Sequence, residues 1–256
     1  MLLAIDVGNS NVTVGAFRGE ELRAHGRFST RRDATPDELG SQLLAFMGQR
    51  RVEEPVDAVA VSCVVPSLSQ PLLEMSRQYF GVEALLVGPG TRTGIEIHYD
   101  PARDVGADRI VTAVGVHHRY GGPAIMVSFG TATVYDAIDE RGDYLGGAIA
   151  PGVQLAVDAL FARAARLPRV DLQAPPRVLG RTTVASVQAG IMFGAAAQAE
   201  GLIARIREEL GGQPKVIATG GLAQLVAPLV RGVDAIDPLV LLEGLRLVEL
   251  LNHDRG

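Results

Sequence analysis

Two stretches decide the fold: Ile5-Asp6-Val7-Gly8-Asn9-Ser10-Asn11-Val12 and Val127-Ser128-Phe129-Gly130-Thr131-Ala132-Thr133-Val134. Set one above the other, both read apolar, polar, apolar, Gly, polar, small, polar, Val. An apolar run leads into each, and VTVGAF or VYDAID follows. Apolar strands separated by Gly, Asn, Ser and Thr predict a strand, a tight turn and a second strand. The copies lie 122 residues apart in a chain of 256. A repeat near half-length predicts a duplication, with a first domain over 1–115 and a second over 116–256, each opened by a glycine-turned hairpin.

Outward from these hairpins, strand and helix signals alternate, as in an α/β fold. Thr35-Pro36-Asp37-Glu38 forms a capping box with Pro at the first helical position. Residues 57–65 are a continuous Val-rich run, the pattern of a strand buried on both faces. A second helix is expected from Ser67, with Gln70 in the reciprocal capping position. The run from Gly106 to Tyr120 has helical spacing and links the halves. A long helix spans Thr183 to Leu210, with Thr183 as N-cap and Gly211 just beyond its end. Its Gly190 and Gly194 permit close approach of another helix, and Asp237-Pro238 opens the last helix.

The chain is 47% apolar with a formal charge of −5, enough material for two ordinary cores. No basic stripe interleaved with aromatics marks a nucleic-acid surface. No apolar run reaches the roughly 20 residues that span a bilayer, and MLLAIDVGNS lacks the basic flank of a signal peptide. The expectation is a cytoplasmic protein with no nucleic-acid or membrane partner. Cys63 is the only cysteine, so no internal disulfide forms. Its setting, AVAVSCVVP, reads as core rather than nucleophile. The five histidines show no metal-ligand spacing.

A glycine-turned hairpin presents backbone N–H groups that converge on an anion. One such turn alone is an ordinary tight turn, but two of the same layout point to a polyphosphate. Asp6, at the end of the first strand, can hold Mg²⁺ against phosphate oxygens. Gly106-Ala107-Asp108-Arg109 opens a helix, where the macrodipole keeps a carboxylate ionised. Asp108 is thus a candidate base and Arg109 a candidate partner for a substrate carboxylate. From this segment alone, a capping Asp beside a salt-bridging Arg is the plainer reading. In Lys215–Leu222 a strand delivers Gly220-Gly221 to a helix start, which lets backbone approach a ligand closely.

Assembled, these residues resemble the type III pantothenate kinases of the actin-like superfamily. The match runs through D-V-G-N-S at 6–10, Y-D at 99–100, G-A-D-R at 106–109 and F-G-T-A-T at 129–133. It continues through G-G-A-I-A-P-G at 146–152, L-P at 167–168, G-R-T-T at 180–183 and A-T-G-G-L at 218–222. The resemblance implies two tandem ribonuclease H-like (actin-like ATPase) domains with a central cleft. It implies a homodimer whose active sites involve both subunits, and ATP-dependent phosphorylation of pantothenate to 4'-phosphopantothenate, the first step of coenzyme A biosynthesis. By position it implies ATP contacts at Asp6, Val7, Gly8, Asn9, Ser10, Asn11, Val12, Thr13 and Thr131. Pantothenate contacts fall on Tyr99, Gly106, Ala107, Asp108, Arg109 and Thr183, with Asp108 as proton acceptor and Asp6 on Mg²⁺.

The chain departs from the family pattern at two places. Ser128 stands where the family carries an Asp associated with an activating monovalent cation, K⁺ or NH₄⁺. Thr182 stands where an Asn usually precedes the substrate-contacting threonine. An active kinase with altered cation dependence is expected. The alternative is a catalytically weak or silent regulatory homologue on the same fold. Sugar and acetate kinases or polyphosphatases of the superfamily are generally longer and lack these motifs in this order.

Overall fold

In the computed structural model, residues 1–164 and 167–253 are described. Contacts divide the chain into two compact units, Met1–His118 with the segment from Val240 onward, and Arg119–Leu239.

The first unit is a five-stranded mixed sheet in the order β3-β2-β1-β4-β5. β1 (Leu2–Val7), β2 (Asn11–Arg18) and β3 (Glu21–Ser29) form an antiparallel meander. β4 (Ala58–Cys63) and β5 (Ala84–Leu86) add in parallel. Successive side chains on a strand face opposite ways. Leu3, Ile5 and Val7 of β1 therefore pack, with Val59 and Val61 of β4, against α1 (Pro36–Gln49) and α2 (Pro66–Met75). The other face is covered by α7 (Val240–His253): a Cβ on Gly15 of β2 would meet Leu242. α7 lies on α3 (Ala107–Tyr120), and the two backbones approach so closely that a side chain at Gly115 or Gly244 would collide with the facing helix.

The second unit repeats the plan. Its sheet runs β10-β9-β6-β7-β8, with β6 (Ala124–Phe129), β7 (Ala132–Ile138) and β8 (Tyr144–Pro151) antiparallel. β9 (Lys215–Thr219) and β10 (Ala235–Ile236) are parallel additions. α4 (Val153–Arg163), α5 (Thr183–Leu210) and α6 (Ala223–Val226) follow these strands, and their apolar residues join β6 and β9 in one core. β1 and β6 show the same burial pattern residue for residue, so the duplication read from the two stretches is present in topology and packing.

Four sequence expectations change. Pairing Val12 with Val134 slips by one. The first turn leaves four residues between the paired Val7 and Val12, the second only three between Phe129 and Thr133. Thr133, buried like Val12, is therefore its true counterpart, because a one-residue slip exchanges the faces of a strand. The Ser67–Gln70 cap does not form: Pro66 is the first helical residue, and the Ser67 hydroxyl donates to the Arg32 carbonyl at 2.9 Å. The N-cap of α5 is Thr182, whose hydroxyl accepts from the Ala185 N–H at 3.2 Å. The division at 115/116 gives the final helix to the second half, whereas the chain returns and α7 packs on the first sheet. The Thr35–Glu38 capping box, by contrast, is present in both directions.

Candidate active site

Asp6 closes β1 on the face that α7 covers. Its in-register neighbours are Thr13 on β2 and Ser62 on β4, so three oxygen-bearing side chains stand abreast at the strand ends. Burial, and secondly the negative charge of Asp108, push the Asp6 carboxyl up to about 7, with the Ser62 hydroxyl offsetting part of this. Asp6 Oδ1 and Ser62 Oγ are nonetheless both buried without a hydrogen bond of ordinary geometry. A carboxylate with an orphaned oxygen beside a second carboxylate is poorly stable alone and well matched to a hard divalent cation. The residues present therefore fit Mg²⁺.

Asp108 sits in the first turn of α3. Gly106 makes its position possible, because a side chain there would collide with Asp108 Oδ1. A side chain at position 106 would therefore require the Asp108 carboxylate to shift. The Thr112 hydroxyl donates to the Asp108 carbonyl at 2.7 Å, and the Arg109 N–H donates to the Gly106 carbonyl at 3.0 Å. The Arg109 guanidinium lies 5.8 Å from the Tyr99 ring centroid, within cation–π range. The Asp6–Asp108 and Arg109–Tyr99 pairs thus both lie in the first unit, joined through the adjacent positions 108 and 109.

The first turn is braced from the end of β3. The Gly8 N–H donates to the Asn11 carbonyl at 2.9 Å, and the Thr30 N–H donates to the Ser10 carbonyl at 3.0 Å. The Thr30 hydroxyl donates to the Gly8 carbonyl at 2.7 Å, and Arg32 donates to Asn9 Oδ1 at 3.2 Å. Two side chains and one backbone N–H of this segment hold the turn, and no sequence signal marked Thr30 or Arg32.

In the second unit Ser128 occupies the Asp6 position, with Val134 and Thr219 as its in-register neighbours. This row offers hydroxyl oxygens and no carboxylate, so it does not fit a charged cation site of the family type. Thr131 is exposed in the second turn, and its carbonyl accepts from the Gly152 N–H at 3.2 Å. Gly152 is the N-cap of α4, and a side chain there would collide with Thr131. Gly220, at φ +91°, sits against the backbone of Phe129, and the Leu222 N–H donates to the Phe129 carbonyl at 3.0 Å. The close approach expected of Gly220 toward a ligand is thus made to the end of β6. Thr183 is the first helical residue of α5. It lines a shallow concavity of about 520 Å³ with Arg181, Thr182 and Ser186. Cys63 is part of the core, its thiol donating to the Val65 carbonyl at 3.2 Å and raised in pKa by burial.

Two sheets of one plan, each with a glycine turn at the end of its first strand, make up a duplicated α/β fold. Solved structures show the same fold. The activator of the 2-hydroxyisocaproyl-CoA dehydratase from Clostridium difficile, with bound ADPNP, has a TM-score of 0.61 at 13% identity, covering 99% of this chain and 95% of that one. The ROK hexokinase from Thermus thermophilus has a TM-score of 0.53 at 12% identity, covering 100% and 99%. The chain belongs to the type III pantothenate kinase family, whose sequence profile matches residues 2–205. It is 53% identical to the type III pantothenate kinase of Moorella thermoacetica, over 97% of this chain and 98% of that protein.

Proposed function

We propose that this protein transfers the γ-phosphoryl group of ATP to the primary hydroxyl of pantothenate, giving 4'-phosphopantothenate and ADP, the first step of coenzyme A biosynthesis. The observation that carries this reading is the Asp6–Asp108 pair: a buried, unpartnered carboxylate oxygen beside a second carboxylate, at the base of a glycine turn. Asp108 accepts the proton of the pantothenate hydroxyl as its oxygen attacks the γ-phosphorus. Asp6 would hold Mg²⁺, which supplies positive charge against the phosphate oxygens when bound. The turn from Val7 to Val12, with Thr13 beside Asp6, receives the phosphates, and Thr131 has the same role in the second turn. Arg109, stacked on Tyr99, meets the pantothenate carboxylate. Gly106 and Ala107 present Asp108, and Thr183 is a further pantothenate contact. Incubation with Mg-ATP and pantothenate, read by mass spectrometry, yields phosphopantothenate; absence of that product rejects the proposal.

Two further features follow from the same family reading. Because Ser128 brings no charge, turnover responds little to K⁺ or NH₄⁺, and Ser128→Asp restores a response. A K⁺ dependence in the wild type equal to that of Ser128→Asp would refute this. The protein acts as a cytoplasmic homodimer, and the second unit carries a fitting surface. Ile149, Leu155, Leu160 and Val184 are exposed there, beside a groove of about 550 Å³ bordered by Leu160, Gly190 and Gly194. Among the described residues no helix is long and apolar enough to cross a membrane. Sedimentation of the purified protein tests the dimer.

A further inference from the structure

We infer that Ser62 is a positioning residue for the divalent-cation site, its hydroxyl donating to the Asp6 carboxylate when that group is ionised. The inference deepens the reading of Asp6 given above and rests on it. Ser62 is fully buried, at 0% exposure, and neither its Oγ nor Asp6 Oδ1 makes a hydrogen bond of ordinary geometry. The two residues are direct neighbours in the parallel pairing of β1 and β4, so both side chains stand on the face that α7 covers.

Packing does not call for the hydroxyl. One step back on the same face, Ala4 pairs with Ala60, and both are buried at 0% exposure. A methyl group therefore fills each of these positions beneath the helix, and the oxygen of Ser62 is an addition to an alanine row. An ionised carboxylate only accepts hydrogen bonds, whereas a serine hydroxyl can donate. Donation from Ser62 to one carboxylate oxygen orients the group and leaves lone pairs on the other for a cation. Outer-shell donors of this kind typically govern metal affinity by about 10–100-fold. Thr13, the neighbour on the other side, lies on β2 and is only partly buried, so the fully buried donor comes from β4.

Mn²⁺ alone, titrated into the full-length protein and followed by electron paramagnetic resonance, provides the test. Ser62→Ala weakens Mn²⁺ binding by about 10-fold or more. Ser62→Thr, which keeps the hydroxyl, retains affinity within about threefold, and Ser62→Cys, of similar size but a weak donor, behaves like Ser62→Ala. Wild-type affinity in Ser62→Ala or Ser62→Cys overturns the inference, as does equal loss in Ser62→Thr and Ser62→Ala. Should Ser62→Ala not fold, the contrast between Ser62→Cys and Ser62→Thr decides. Asp6→Asn serves as the control. If it binds Mn²⁺ as the wild type does, the reading of Asp6 itself fails. If it loses binding while Ser62→Ala keeps it, only the role of Ser62 fails.

Discussion

The two glycine turns begin from one design and end with different chemistry. In each unit the residue just after the third strand donates its N–H to a turn carbonyl: Thr30 to Ser10 at 3.0 Å and Gly152 to Thr131 at 3.2 Å. In each, the first strand ends with a polar side chain on the same face, Asp6 or Ser128. Yet the row across the first sheet is Thr13–Asp6–Ser62, with Asp108 adding a second carboxylate, while the row across the second is Val134–Ser128–Thr219. A duplicated scaffold has kept its backbone device in both copies and concentrated its charge in one. The proposed function accordingly assigns metal and proton chemistry to the first turn and neutral contacts to the second.

The sharpest way to break that division is Asp108→Asn. It keeps the shape beside Gly106 and removes the base, so kcat falls by about 10²–10⁴-fold with pantothenate and ATP binding largely retained. Steady-state kinetics and nucleotide titration read this out. An equal loss from Ser128→Ala, or near-normal turnover in Asp108→Asn, would show that the charge asymmetry does not carry the chemistry.

A second measurement addresses stability. The Asp6 carboxyl, raised from 3.8 to about 7 in the folded protein, keeps a proton that the unfolded chain has already released between those values. Stability therefore falls as pH rises from about 4 to about 7, and the cost persists above that range. In metal-free protein this amounts to a few kcal/mol at pH 8 by the linkage relation. Asp6→Asn removes it, so at pH 8 with chelator the variant is more stable to urea than the wild type, and the difference shrinks toward pH 4. A wild type equally stable to its Asp6→Asn variant at both pH values would contradict the burial argument. The Ser128 row carries no charge and predicts no such dependence for Ser128→Ala.

Much of the first unit's site was legible because its determinants are local. Asp6 ends a strand before a glycine turn, and Gly106 and Asp108 lie two residues apart at a helix start, so spacing made them candidates, while the role of Asp108 as base came from the family resemblance. Ser62 was not legible, because it becomes a neighbour of Asp6 only through parallel pairing of β1 with β4, across two intervening strands and a helix. Thr30 likewise depends on β3, a polar edge strand in which only Ala24 is buried; its sequence, ELRAHGRFS, has too little apolar alternation to announce a strand. β8 was hidden by Gly146-Gly147, where a side chain at Gly147 would collide with Tyr135 of the paired strand. The repeat itself was visible, but its register past the glycine was not. A turn shorter by one residue leaves the sequence pattern nearly intact while exchanging the faces of the following strand.

The braces of the two turns give the smallest effects and the finest comparison. Gly152→Ala forces a methyl group into the Thr131 backbone, where neither partner is a flexible side chain, and overpacking of this kind costs about 1–3 kcal/mol. Thr30→Ala creates no clash. It removes only the 2.7 Å bond from the hydroxyl to the Gly8 carbonyl, while the backbone bond to Ser10 remains, so it costs about 0.5–1.5 kcal/mol. Both changes act on turn geometry, so each weakens ADP binding as well as urea resistance, with Gly152→Ala the larger on both scales. Thr30→Ser, which keeps the hydroxyl, stays near the wild type. If Thr30→Ala lowered stability but left ADP affinity unchanged, the bond would hold β3 in place without shaping the turn, and the equivalence drawn between the two braces would be lost.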